Sequence, residues 1–183
     1  DRFRRLQDGE SLDIGSHQSK VVVGNGHSPD HACLYCPDLK LLISGDQVLP
    51  RISSNVSVFP TEPDADPMED WLASLKKLKH EVPSDVLVLP AHNEPFRGLH
   101  DRLDYLESSQ LDALERLRTV LQQPQRAVDV FPTLFSRPIT PDDHGQLGLA
   151  TGESIAHLNY LIRRGEAVMQ LDDEGVAWYR AAG

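Results

Sequence analysis

The sequence predicts an α+β protein in two parts, on three observations. Up to residue 98, short apolar runs of strand length alternate with turn residues around one helical pattern. From residue 99 onward helical periodicity takes over and ends in a β-hairpin signal. The 183 residues are 39% hydrophobic and 25% charged, the balance of a soluble chain able to bury a core without disulfides.

In chain order, residues 11–14 and 20–23 read as two strands joined at Gly15-Ser16-His17. Residues 32–36 and 39–44 read as a second hairpin turning at Pro37-Asp38. The runs Val21-Val22-Val23 and Leu41-Leu42-Ile43 do not alternate, which suits strands covered on both faces, and residues 86–89 form a third such run. Met68, Trp71, Leu72, Leu75 and Leu78 fall on one helical face. Asp66 before Pro67, with Glu69 three residues on, signs the start of that helix. Residues 51–67, rich in proline and serine, read as a long loop.

After Gly98, a long helical pattern carries Leu99, Leu103, Leu106, Leu114, Leu117 and Leu121 until Pro124 stops it. A short helix is expected over 127–135 and another over 146–164, with Ile155, Leu158, Leu161 and Ile162 as its apolar stripe and Gly165 as its stop. Strands at 167–171 and 176–179 flank Asp172-Asp173-Glu174-Gly175. Three helices followed by a hairpin is the winged-helix order. The expected division is therefore a first part at 1–98 and a winged-helix-like part at 99–183.

Charge limits the function. Lys plus Arg number 18 against 28 Asp plus Glu, a net charge of −10. The excess is shared: 10 basic and 15 acidic residues lie in 1–98, 8 and 13 in 99–183. Binding to nucleic acid relies on neutralising phosphates, so RNA is disfavoured as a partner, and the acidic hairpin tip argues the same way. The second part is expected to serve packing or dimerisation. Two cysteines make no disulfide framework, and a reducing cytoplasm is expected. No apolar run is long enough to cross a membrane.

Three segments carry chemistry: Gly26-His27-Ser28-Pro29-Asp30-His31, Ile43-Ser44-Gly45-Asp46 and Leu89-Pro90-Ala91-His92-Asn93. Each sets a metal-capable side chain just past the end of a predicted strand, where open sheets gather ligands. Imidazoles with a carboxylate suit zinc, and also manganese or iron.

In this order the segments resemble the second half of the metallo-β-lactamase-fold hydrolases, which include glyoxalase II and β-lactamase-like endoribonucleases. The resemblance covers nearly all of residues 15–183. It implies the C-terminal half of an αββα metallo-β-lactamase sandwich followed by a winged-helix-like domain. It further implies metal ligation by His27 and His92, with Asp46 as the carboxylate bridging two divalent cations. His31 is expected to brace the loop from behind the ligands. The family's Pro-Gly-His-Gly appears as Pro90-Ala91-His92-Asn93, both glycines replaced. The implied activity is metal-dependent hydrolysis of an ester, thioester or phosphodiester, with a small-molecule ester or thioester as substrate.

The family's His-x-His-x-Asp-His tetrad is absent: none of the eight histidines is spaced two from another. No catalytic residue is assigned, and this chain alone is expected to be inactive. Asp1, which is not a methionine, reads as a cut. Half a sandwich leaves a sheet face open, so a homodimer is a further expectation. The alternative is a non-catalytic module binding a protein or RNA through the winged helix. Arg51 and Asn55 are candidate substrate-loop residues. Cys33 and Cys36 read as core, because positions i and i+3 of a strand face opposite sides. His17 reads as a turn residue, and His80 and His100 as helix-terminal ones. His144 and His157 read as solvent-facing, His157 sharing a face with Arg164 opposite Ile155 and Leu158.

Overall fold

The computed structural model describes residues 3–183. One sheet contains β1 (Ser11–Ile14), β2 (His17–Gly24), β3 (His31–Cys36), β4 (Leu41–Gly45) and β5 (Leu87–Pro90) in that order. Helix α1 (Pro67–Glu81) separates β4 from β5 in the chain. Then come α2 (Leu99–Val120), α3 (Phe131–Leu134), α4 (His144–Arg163) and a hairpin of β6 (Ala167–Leu171) and β7 (Ala177–Ala181). Two compact units result. One holds the described residues up to Ser54 with Asp70–Glu107, the other Asn55–Glu69 with Ser108–Gly183. None of the described helices is long and apolar enough to cross a membrane.

In the first unit, β1 through β4 pair antiparallel and β4 pairs parallel with β5. Strands β2, β4 and β5 therefore run the same way, and their C-terminal ends meet one edge of the sheet. Val22, Cys33, Leu42 and Val88 are fully buried. Helix α1 is fastened along β2 by Ser74 Oγ accepting from the Asn25 amide at 2.7 Å, Lys77 Nζ donating to the Val23 carbonyl at 2.8 Å, and a Lys20–Glu81 pair at 2.7 Å. Its side chains Trp71, Leu72, Leu75 and Leu78 are buried, each contributing about 1.5–3 kcal/mol of apolar transfer free energy. The expected cap is present, with Asp66 Oδ1 accepting from the Glu69 amide at 3.2 Å. Strand β2 starts at His17, because Ile14 and His17 are already paired across a two-residue turn at Gly15-Ser16. Strand β4 starts at Leu41, because Lys40 closes the turn through its amide on the Pro37 carbonyl at 3.1 Å.

The second unit recruits part of the long loop. The Val58 amide bonds the Gly152 carbonyl at 3.0 Å, and Asn159 Nδ2 donates to the Pro63 and Ala65 carbonyls, both at 2.9 Å. Helix α4 begins at His144, two residues earlier than expected, because Asp143 caps it by accepting from the Gln146 amide at 3.0 Å. The helix expected over 127–135 shrinks to α3, since Asp129 folds residues 126–129 into a turn by accepting from the Arg126 amide at 2.9 Å. The second hairpin strand runs to Ala181, and Asp172 shapes the turn by accepting from the Glu174 and Val176 amides and from Trp178 Nε1.

Two expectations about α4 are corrected. Ile155 and Ile162 are only half-buried, while Ala156, Leu158 and Leu161 are fully buried. His157 is not solvent-facing but 1% exposed. Its Nε2 lies 2.9 Å from Gln110 Oε1 and its Nδ1 2.8 Å from the Glu153 carbonyl, partners that satisfy both ring nitrogens out of water.

Candidate metal centre

Topology delivers the site. Asp46 directly follows β4, and the His27 and His92 loops follow β2 and β5, at the edge where those three strands end. The Ala91 amide donates to the Gly45 carbonyl at 3.0 Å and locks the ends of β4 and β5 together. His92 Nε2 then stands 3.3 Å from Asp46 Oδ1, and His27 Nε2 stands 4.0 Å from Asp46 Oδ2. Each oxygen of one carboxylate faces a different imidazole. The Asp46 and His27 side chains are 32% and 29% exposed, and His92 is 63% exposed, so the cluster opens to solvent.

Two donors at about 2.0–2.1 Å from a tetrahedral zinc lie about 3.3 Å from each other. The His92–Asp46 spacing matches such an edge, and the His27–Asp46 spacing is longer. Among the described residues, no three His, Cys, Asp or Glu side chains converge around one point to hold an ion by themselves. The Asp46 carboxylate instead stands between two imidazoles, with one nitrogen on either side. The donor chemistry fits divalent cations of the zinc type.

Backbone conformations make this geometry possible. Asn93 has φ 68°, in the left-handed region where asparagine is among the few non-glycine residues tolerated. It thus takes up a conformation that glycine adopts freely, at the position where the resembling motif has glycine. The loop carrying His27 is closed by Asn25 Oδ1 accepting from the Asp30 amide at 2.8 Å. Gly45 has φ 54°, and a Cβ there would sit 2.5 Å from His31 Nε2.

His31 is half-buried beside His27 and Asp46. Its Nε2 lies 3.2 Å from the Ser44 carbonyl and its Nδ1 lies 3.3 Å from Ser28 Oγ. The carbonyl can only accept, so Nε2 carries the proton and Nδ1 accepts from the Ser28 hydroxyl. Burial lowers the pKa of His31, and the neighbouring His27 adds to that effect. The His31 and His27 rings meet edge-on at 6.2 Å between centroids.

Arg51 pairs with Glu94, its Nε donating at 2.8 Å, so the loop after Asp46 is tied to the loop after His92. That guanidinium holds the Glu94 carboxyl below its usual pKa. Asn55 belongs to the other unit, where its Nδ2 donates to Glu153 Oε2 at 2.8 Å. Cys33 and Cys36 are free and buried, and desolvation pushes the Cys33 thiol up to about 12. Sequence reasoning passed over Ser54, whose hydroxyl donates to the Asp46 carbonyl, and Gln47, fully buried beside Asp46. No local motif marks either one.

A family model described as Metallo-beta-lactamase superfamily matches residues 2–121, and one described as Metallo-beta-lactamase-like, C-terminal domain matches residues 114–182. A beta-lactamase domain protein from Burkholderia ambifaria is 42% identical, with a TM-score of 0.93 over 99% of this chain and 53% of its own. A metallo-beta-lactamase family protein from Thermus thermophilus is 26% identical, with a TM-score of 0.79 over 96% of this chain and 53% of its own. Among curated proteins, an atrochrysone carboxyl ACP thioesterase from Aspergillus fumigatus is 27% identical over 126 residues, 64% of this chain and 27% of its own. A hydroxyacylglutathione hydrolase from Roseobacter denitrificans is 32% identical over 87 residues, 48% of this chain and 31% of its own. The chain thus spans about half the length of these solved relatives, and the curated matches cover under a third of theirs.

Proposed function

The chain belongs to the metallo-β-lactamase superfamily, and from that premise we propose that it carries part of a dinuclear hydrolase site. His27, His92 and Asp46 would hold the divalent cations, each imidazole on one side of the shared carboxylate. The observation that carries this reading is the placement of the Asp46 oxygens, one toward each imidazole. Zinc suits the donors best, with manganese or iron as alternatives. When bound, such cations supply a Lewis acid and lower the pKa of a nearby water.

The chain's own residues orient and hold. Ser54 fixes the Asp46 backbone, His31 braces the turn that presents Asp46, and the Arg51–Glu94 pair closes the rim. A small ester or thioester is the proposed substrate, supported by relatives named as a thioesterase and a hydroxyacylglutathione hydrolase. To that site the described residues contribute His27, Asp46 and His92. The C-terminal part, read from its element order as winged-helix-like, is a packing module. Its acidic turn disfavours RNA.

The test uses protein of the length of the solved relatives, of which this chain spans 53%. Asp46→Asn is expected to abolish thioester hydrolysis and to reduce the bound metal measured by emission spectroscopy. Full activity with unchanged metal content overturns the reading.

A further inference from the structure

Gln47 is a fully buried polar side chain adjoining the centre, and nothing above assigns it a task. Its side-chain amide lies flat against Gly24, where an added Cβ would meet its Cδ at 2.6 Å and its Oε1 and Nε2 at 2.8 and 2.9 Å. Its Nε2 donates to the Asn25 carbonyl at 3.3 Å, which fixes the orientation of the amide, because the opposite one would set two acceptors against each other. Its own backbone amide bonds the Ser44 carbonyl at 3.0 Å. Gln47 Oε1 is buried with no hydrogen-bond partner among the described residues, an arrangement that costs stability. A residue kept in place at that cost is one whose shape or donor is needed there.

Its contacts join the two loops that matter. Gln47 follows Asp46 directly. The residues it clamps, Gly24 and Asn25, open the loop that carries His27, and Asn25 also closes that loop on the Asp30 amide.

We propose that Gln47 is a positioning residue: by clamping Gly24 and Asn25 it sets the separation of His27 from Asp46, and so the affinity of the half-site those two build. The inference rests on the metal-site reading above. Nitrogen and oxygen donors must sit within a few tenths of an ångström of their required places, and groups behind the ligands commonly change affinity by about 10–100-fold.

The test has two arms, both on the 183-residue chain. In metal-free protein, hydrogen exchange of the amides from Gly26 to His31 is measured for the parent and for Gln47→Met. Exchange is expected to accelerate in the variant, and an unchanged rate overturns the clamp whether or not metal binds. In the second arm, Co2+ alone is titrated and followed by its absorption. Gln47→Met is expected to weaken binding about tenfold, to do so equally in a His92→Ala background, and to have no effect in a His27→Ala background. An equal loss in the His27→Ala background means that Gln47 acts through general structure, which overturns the proposal. Gln47→Asn, which keeps the amide but falls short of the Asn25 carbonyl, gives the same readouts if the methionine variant fails to fold. A parent chain that binds no Co2+ overturns the affinity claim, the exchange arm still decides the clamp, and the metal reading is judged separately by Asp46→Asn in the longer protein.

Discussion

Gly45 is where backbone and side chain compete for one space. Its φ of 54° favours glycine, and His31 Nε2 occupies the place where a Cβ would be. Gly45→Ala is therefore expected to cost at least about 1–3 kcal/mol, read from the urea unfolding midpoint. Its effect should also reach past the folding equilibrium, because Gly45 directly precedes Asp46. Cys33 is the opposite case, a residue whose chemistry is silenced by its surroundings. Fully buried and with a pKa pushed up to about 12, it holds almost no thiolate at neutral pH. Iodoacetamide should leave it unmodified in native protein and alkylate it in urea, as peptide mass mapping would report. Rapid native labelling at Cys33 would contradict the burial.

Helix α4 carries two titrating groups that pull stability in opposite directions. Burial raises the Glu153 carboxyl from 4.5 to about 7 against an opposing hydrogen bond from Asn55. Its folded state keeps a proton that the unfolded chain has lost, so its contribution is complete below pH 4.5 and disappears as pH rises through about 7. Burial lowers His157 from 6.5 to about 4, so its contribution is complete above pH 6.5 and disappears as pH falls through about 4. Between those limits the two slopes oppose, and the parent should vary little. Glu153→Gln is expected to leave stability rising with pH from about 4 to 6.5, and His157→Gln to leave it falling from about 4.5 to 7, in urea midpoints measured at each pH. The same helix bears Gly152, where a Cβ would meet Ser57 at 2.9 Å and the Val58 carbonyl at 3.0 Å. Gly152→Ala normally adds about 1 kcal/mol of helix propensity. Here the close approach should reverse that sign, a result thermal unfolding can check.

The sheet of the first unit carries an apolar row that stays open to solvent. Leu34, Ile43 and Leu89 are in register across β3, β4 and β5, and Ile43 is 43% exposed at the middle of that row. An apolar row of this kind favours association, while a net charge of −10 opposes it over a distance that salt shortens. The chain is expected to self-associate in sedimentation equilibrium, more strongly at high salt, and Ile43→Lys should suppress it. A stable monomer at all salt concentrations would contradict a second copy as the cover for this face.

What the sequence determined by itself was local. His27, Asp46 and His92 each stand just past an apolar run, and the order of those runs could be read without knowing their pairing. Helix α1 was equally legible, because Asp66, Pro67 and the spacing of Trp71, Leu72, Leu75 and Leu78 are all short-range signals. Tertiary structure decided what depends on distant partners. The antiparallel pairing of β2, β3 and β4 and the parallel pairing of β4 with β5 turn separate strand ends into one edge and set two imidazoles facing the two oxygens of Asp46. Ala150, Ser154 and Leu161 share the buried face of α4 with His157, and Gln110 reaches its Nε2 from 47 residues away, a partner that no local pattern names. Residues 55–69 join α4 because Asn159 satisfies their carbonyls, although their composition reads only as loop. Gln47 reads as an ordinary polar residue until its amide is seen against Gly24. Periodicity reports which face of an element is apolar, and a polar side chain's fate is settled only by the partner that reaches it.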